Sequence, residues 1–512
     1  MLIKKLTVAT AFCFLLFINQ LFSQYSLPRS TPEQQGVSSQ AIIDFLDSAV
    51  SGKNEFHSFM FVRHGKVIAE GWWNPYRQDI KHTMYSLSKS FTATAVGLAV
   101  KQRKLKVSHK VISFFPDELP DTVSQYLREM TVKDLLTMSA GQDPDPTRTI
   151  VSDTNWIRSF LALPVPHKPG AQFLYNSMAT YMLSAIVQKV TGQKVFDYLT
   201  PKLFQPLGIQ NADWETDLQG INTGGWGLRI TTEDIAKFGQ LYLQRGKWKR
   251  RRILSKIWIK EATSSKIIQH PDLPKETRDK SDWEQGYCYQ MWRCRNNAYR
   301  GDGAYGQFCI IMPDQDAVIA ITSETTDMQN ELNAVWKFLL PAMKKKKQKP
   351  NNDLVQQLKV QLRSLALPVP GNSNTSDMVS VINGKNFVMQ PNDKNIESVS
   401  FQFSDNLYTV NIKSDTAAHS ILFAPAKWHE GETTRQGPYL VSSAKNKLQG
   451  LPPFKVAGEY NWRDENKLEL ILRYIESPHT ETLVCYFDDN KLKIEIKNSI
   501  STQPVTLTGE VK

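Results

Sequence analysis

Hydrophobic positions change period several times along this chain. Residues 41–46 (Ala-Ile-Ile-Asp-Phe-Leu) repeat at helical spacing and predict a first helix. Residues 59–72 then form two β-rich runs around His64-Gly65, the pattern of a hairpin. A run of small apolar residues follows at 92–100 (Thr-Ala-Thr-Ala-Val-Gly-Leu-Ala-Val) and predicts a buried helix. Between 100 and 290 the helical period dominates. Residues 132–138 are amphipathic and stop at Ala140-Gly141, and residues 181–190 end at Thr191-Gly192. Residues 235–243 are opened by Thr231-Thr232-Glu233-Asp234 in the manner of a capping box. Strand character returns at 308–313 and 317–322, and a helix over 330–343 closes the unit. Strands open and close it and helices fill the middle. This predicts an α+β fold, an antiparallel sheet with a helical insertion.

The texture changes again near residue 344. Residues 344–377 carry a lysine run, proline, glycine and serine-asparagine stretches and one predicted helix over 353–365, and read as a linker. From 378 to 512, short alternating runs such as 399–403, 468–474 and 491–496 recur between turns, predicting an all-β sandwich or barrel. At the other end, Lys4-Lys5, an apolar stretch over 6–22 and Ser23-Gln24 match a signal peptide over residues 1–24, which leaves a first domain over 25–343. A membrane anchor is the other reading of that segment. Export to the periplasm or beyond is the expectation.

Composition narrows the partners. With 512 residues, two or more domains are expected, and 41% hydrophobic and 22% charged residues are ordinary for globular proteins. The net charge of +12 is gathered partly at 247–252 and 344–349, which suggests contact with an acidic polymer or else simply solvated loops. An exported chain is not expected to meet nucleic acid, and no later stretch is long and apolar enough to remain in a bilayer. Cys288, Cys294, Cys309 and Cys485 follow no zinc-binding spacing. Either a Cys288–Cys294 disulfide or four buried thiols fits. The histidines are scattered with no His-Glu-x-x-His, so neither metal nor cofactor is expected.

The candidate chemistry lies just before the small-residue helix, in Tyr85-Ser86-Leu87-Ser88-Lys89. If the helix starts near Ser86, residues three apart share a face, so the hydroxyl lies beside the Lys89 amine. A desolvated lysine can lose its proton and activate the serine. Helix capping is the plainer reading of Ser86, and Ser442-x-x-Lys445 matches the same pattern in a polar stretch. Tyr175, in Pro169-Gly170-Ala171-Gln172-Phe173-Leu174-Tyr175-Asn176-Ser177, precedes a predicted helix. Beside a cationic Lys89 its phenol pKa is expected to fall towards general-base use. Arg300-Gly301-Asp302-Gly303-Ala304-Tyr305-Gly306 is formally Gly-x-Gly-x-x-Gly. A strand rather than a helix follows it, so a turn with backbone close to a ligand fits better than a dinucleotide site. His64 and His82 lie near Ser86 in sequence, but no Gly-x-Ser-x-Gly elbow is present.

The ordered set of Ser86-x-x-Lys89, Leu135-Leu136-Thr137-Met138-Ser139-Ala140-Gly141, Pro169-Gly170-x-x-Phe173-x-Tyr175 and Gly303-x-x-Gly306 resembles the penicillin-recognising serine hydrolases. Gly224-Gly225-Trp226-Gly227-Leu228 and residues 238–243 resemble its 6-aminohexanoate-dimer hydrolase and esterase branch. The resemblance covers residues 30–343 and leaves the C-terminal domain unexplained. It implies a beta-lactamase-like fold and an acyl-enzyme mechanism. Ser86 is then the nucleophile, Lys89 its proton partner and Tyr175 the general base and later acid. The backbone N–H groups of Ser86 and Ala304 form the oxyanion hole, and Ser177, Trp226, Gly301, Asp302 and Gly303 line the substrate site. Two departures bear on substrate. Ser177 stands where the family usually has asparagine, and Gly301 where it usually has a cation for a substrate carboxylate. A small ester or amide is expected, esters ahead of beta-lactams and D-Ala-D-Ala peptides, with Arg300 and Arg229 as substitute cations. The competing expectation is a binding or sensing protein that holds a cell-wall or polysaccharide ligand in a hydrolase-like pocket.

Overall fold

The computed structural model describes residues 26–52, 54–369, 375–444, 446–447, 451, 453–501 and 503–511. The signal-peptide segment and Lys445 lie outside the described residues. A six-stranded antiparallel sheet organises the first domain. Its strands are β1 (Glu55–Arg63), β2 (Lys66–Trp72), β3 (Trp292–Arg293), β4 (Tyr299–Gly303), β5 (Gln307–Met312) and β6 (Ala317–Glu324), in the order β2-β1-β6-β5-β4-β3. Alternation assigns the two faces. Met60 and Val62, with Cys309, Ile311, Val318 and Ala320, enter one core. Phe59 and Phe61, with Phe308, Ile310, Ile319 and Ile321, enter the other. Both faces are buried, which is why these strands read as near-continuous apolar runs.

On the first face lie α2 (Ser88–Lys101), α3 (Ser177–Thr191) and α4 (Thr232–Leu243). On the second lies α1 (Ser39–Ser51), opened by Ser38 accepting from the Ala41 N–H. The capping box expected before α4 is present, with Thr231 and Asp234 exchanging side-chain and backbone hydrogen bonds. A further helix, α5 (Asn352–Arg363), changes the reading of the linker. Leu358, Leu365 and Leu367 are buried in the second core, and a Cβ at Gly71 of β2 would lie 2.5 Å from Leu365 Cδ1. Part of the predicted linker is therefore packed against the first domain.

The C-terminal domain is a closed barrel. Its strands are β7 (Asn386–Met389), β8 (Ile396–Ser404), β9 (Leu407–Ser414), β10 (Ala418–Pro425), β11 (His429–Thr433), β12 (Phe454–Asp464), β13 (Lys467–Tyr474), β14 (Thr480–Asp488), β15 (Lys491–Asn498) and β16 (Val505–Val511). The ring runs β10-β9-β8-β7-β16-β15-β14-β13-β12 and closes where β10 meets β12, with β11 added along the first half of β12. A ring with an odd number of strands cannot be antiparallel throughout. The unavoidable parallel pair is β10–β12, at Ala424↔Glu459 and Pro425↔Tyr460. Closure removes the exposed edges of an open sheet. Phe387, Phe401, Tyr408, Tyr460, Trp462 and Phe487 fill the interior.

Candidate active site

Two segments of the first domain meet at Ser86. Tyr85–Leu87 form one 3-10 turn, and α2 begins only at Ser88. The helix thus starts two residues later than the sequence pattern suggests, and Ser86 sits on the turn that leads into it. Tyr85 adopts φ +43°, a left-handed conformation costly for a side chain with a Cβ. Lys89, one turn on, is buried and reaches back to Ser86, with Nζ 3.0 Å from Ser86 Oγ.

Lys89 has two further partners. Nζ lies 3.0 Å from Ser177 Oγ and donates to the Gly225 carbonyl at 2.8 Å. These three contacts accommodate both protonation states. As an ammonium, Lys89 donates to all three. As an amine it keeps two donors and accepts the Ser86 proton on its lone pair. Burial far from solvent drives the balance towards the amine, and the pKa of Lys89 falls from 10.5 to about 7.

Tyr175 arrives on a segment pinned to the Leu135–Gly141 motif. Gly170 N–H donates to the Ser139 carbonyl (2.8 Å), and Leu174 N–H to the Met138 carbonyl (2.8 Å). Asn176 then caps α3 by accepting from the Met178 and Ala179 amides, and fixes itself to Gln142 at 2.8 Å. Tyr175 shares a hydrogen bond with Ser86, and its ring lies 4.9 Å from Lys89 Nζ. Its phenol pKa does not fall as expected. Burial, and then the negative charge of Asp302, push it well above the ordinary value. The charge of Arg300 acts the other way but counts for less than burial and Asp302.

The glycines of Arg300–Gly306 allow close approach within the chain itself. Residues 299–303 are strand β4, and a Cβ at Gly303 would lie 2.1 Å from the Met84 carbonyl oxygen, while one at Gly301 would lie 2.5 Å from Leu87 Cδ1. Glycine therefore lets β4 lie directly against the Ser86 turn. Trp226 is buried and stacks near Trp156 (5.8 Å). The group of this loop that reaches Lys89 is the preceding Gly225 carbonyl.

Both substitute cations are already ion-paired, although Nη2 of Arg300 has no hydrogen-bond partner among the described residues. Arg300 is fully buried, pairs with Asp302 (2.8 Å), donates to the Asp282 carbonyl (2.7 Å) and lies against the Trp283 ring. Arg229 is held by Asp213 (2.7 Å) and Glu476 (3.1 Å). An aromatic wall stands beside the site instead, with Trp292 stacked on Tyr175 (5.6 Å, 17°) and edge-on to Tyr287. Sequence reasoning missed Trp292, since a lone tryptophan between Met291 and Arg293 carries no motif. Nor do His64 and His82 approach Ser86. His64 contacts Gln35, and His82 pairs with the buried His57. Among the described residues, Cys288, Cys294, Cys309 and Cys485 are buried free thiols.

The family model described as "Beta-lactamase" matches residues 55–340, more than half of the chain. The 6-aminohexanoate-dimer hydrolase of Paenarthrobacter ureafaciens is 24% identical over 53% of this chain and 73% of its own length. Protein flp of Staphylococcus aureus (strain COL) is 25% identical over 35% of this chain, which spans only 39% of that protein. Among solved structures, the octameric penicillin-binding protein homologue from Pyrococcus abyssi aligns over 92% of this chain and 99% of its own, at 15% identity and a TM-score of 0.48. The order of the motifs, the antiparallel sheet with its helical insertion and the matched family model agree, and the chain belongs to the beta-lactamase family of serine-type hydrolases.

Proposed function

We propose that this protein hydrolyses small esters lacking a substrate carboxylate, through an acyl-enzyme on Ser86. The observation that carries the reading is the Lys89 amine, buried, close to half deprotonated at neutral pH and 3.0 Å from Ser86 Oγ. Ser86 Oγ bonds to the acyl carbon while its proton passes to Lys89. The carbonyl oxygen becomes an oxyanion between the N–H groups of Ser86 and Ala304. The bond to the leaving oxygen then breaks, and Tyr175, whose raised pKa keeps its proton in place, relays a proton to it from Lys89. Water attacks the acyl carbon by the reverse proton path, releasing the acid and restoring Ser86.

The preference for uncharged esters rests on the committed arginines. Arg300 is neutralised by Asp302 and Arg229 by Asp213 and Glu476, while Asp302 adds negative charge near the phenol. A substrate carboxylate therefore meets paired charges there rather than an uncompensated cation. The 6-aminohexanoate-dimer hydrolase relative keeps amides as a second substrate class. The test is a panel of p-nitrophenyl acetate, nitrocefin, D-Ala-D-Ala peptide and aminohexanoate dimer, run on the parent and on Ser86→Ala. The ester is expected to turn over fastest and to lose turnover in Ser86→Ala. Retention of the parental ester rate by Ser86→Ala overturns the proposal.

A further inference from the structure

The barrel domain reaches the turn that carries Ser86 through a buried histidine. The loop between β13 and β14 carries His479 into the first domain, where it is fully buried. Its Nε2 is hydrogen-bonded to the Tyr85 phenol, and its Nδ1 lies 3.2 Å from Glu324 Oε1 and 2.9 Å from Ser499 Oγ. Its ring also packs edge-on against Tyr305, with centroids 4.8 Å apart at 89°. A second barrel-domain group, the Leu440 backbone N–H, donates to the Tyr85 phenol.

Two of the residues that His479 touches have one property in common. Tyr85 (φ +43°) and Tyr305 (φ +66°) are both non-glycine residues in the left-handed region. Tyr85 immediately precedes the Ser86 amide, and Tyr305 immediately follows Ala304. Such backbone is strained and persists only where surrounding contacts hold it. One imidazole from the other domain therefore contacts both strained residues, one bonded directly to the Ser86 amide and the other the residue after Ala304. Glu324 fixes the ring. With Nδ1–H donating to the carboxylate, Nε2 is left as the acceptor for the Tyr85 hydroxyl, which burial keeps protonated.

We propose that His479 is a positioning residue, through which the barrel domain holds the Ser86 and Ala304 amides in register for the oxyanion. The proposal rests on Ser86 being the nucleophile. It gives the C-terminal domain a part in acyl transfer, beyond covering or stabilising the first domain.

The test is the rate of fluorophosphonate labelling of the full chain. In that reaction Ser86 Oγ bonds to phosphorus, fluoride leaves and the proton goes to Lys89, with the phosphoryl oxygen in the oxyanion hole. His479→Ala is expected to slow labelling about tenfold or more, since small misplacements of oxyanion donors are costly. His479→Gln, which keeps an acceptor for Tyr85, is expected to recover part of the rate. Tyr85→Phe is expected to add little to His479→Ala, because both remove the same contact. Arg77→Gln is the interface control. It breaks the exposed Arg77–Glu430 ion pair between the domains and is expected to leave labelling unchanged. Equal labelling of His479→Ala and parent overturns the proposal, as does equal slowing by Arg77→Gln. If the parent is not labelled at Ser86, the nucleophile assignment falls and takes this inference with it.

Discussion

At the scale of single residues, the account turns on where Lys89 exchanges its proton. An exposed lysine is an amine only near pH 10.5, whereas burial brings Lys89 to about 7. The amine fraction therefore rises as pH increases through 7, and kcat/KM for p-nitrophenyl acetate is expected to climb across that range. A rate that is flat from pH 5.5 to 8.5 contradicts this assignment. Asp302 stabilises the ammonium, so Asp302→Asn removes a charge that holds the pKa up. The rising limb is then expected to move to lower pH. Movement to higher pH contradicts the electrostatic reading. The Ser-x-x-Lys spacing was legible in the sequence because one helical turn brings the two side chains together. The protonation of Tyr175 was not legible, since it depends on burial and on Asp302, more than a hundred residues away.

At the scale of elements, close approach decides which substitutions are tolerated. Strand β4 lies against the Ser86 turn only because Gly303 has no Cβ. Gly303→Ala places a methyl 2.1 Å from the Met84 carbonyl oxygen, against backbone that cannot swing aside. Ester turnover is expected to fall about tenfold or more while the circular dichroism spectrum stays that of the parent. Unchanged turnover contradicts the packing. Helix α5 gives a second case. Leu358 is buried against the first domain, so Leu358→Ala is expected to cost about 2–5 kcal/mol in urea unfolding. A loss below about 0.5 kcal/mol marks α5 as a peripheral linker. The helical period of 353–365 was visible in sequence, but its docking was not, because the apolar face it covers belongs to α1 and β2. The strand runs 308–313 and 317–322 were easily read, since both faces of that sheet are buried. Strand β4 was harder, because its glycines hide the alternation.

At the scale of the whole molecule, the two domains share buried polar contacts rather than a loose tether. Glu476 accepts from the Thr83 N–H (2.8 Å) and pairs with Arg229, Arg473 pairs with Glu55, and the Tyr439 phenol reaches Glu215 at 2.5 Å. Ala457 and Ile475 of the C-terminal domain enter the core of the first. Calorimetry is expected to record one unfolding transition, and two well-separated transitions contradict such coupling. Alternating strands in the sequence announced a β domain, but barrel closure depends on β10 meeting β12, a pairing between distant segments that no local pattern encodes. The same distance concealed His479, which lies almost four hundred residues from the turn it touches. The central claim, that acyl transfer passes through Ser86 with Lys89 as base, is tested most directly by rapid-quench mass spectrometry with a slowly deacylated ester. The expected result is an acyl adduct on the peptide carrying Ser86, forming at a rate that rises through pH 7 and absent from Lys89→Met. An adduct on another residue, or an undiminished adduct in Lys89→Met, contradicts it.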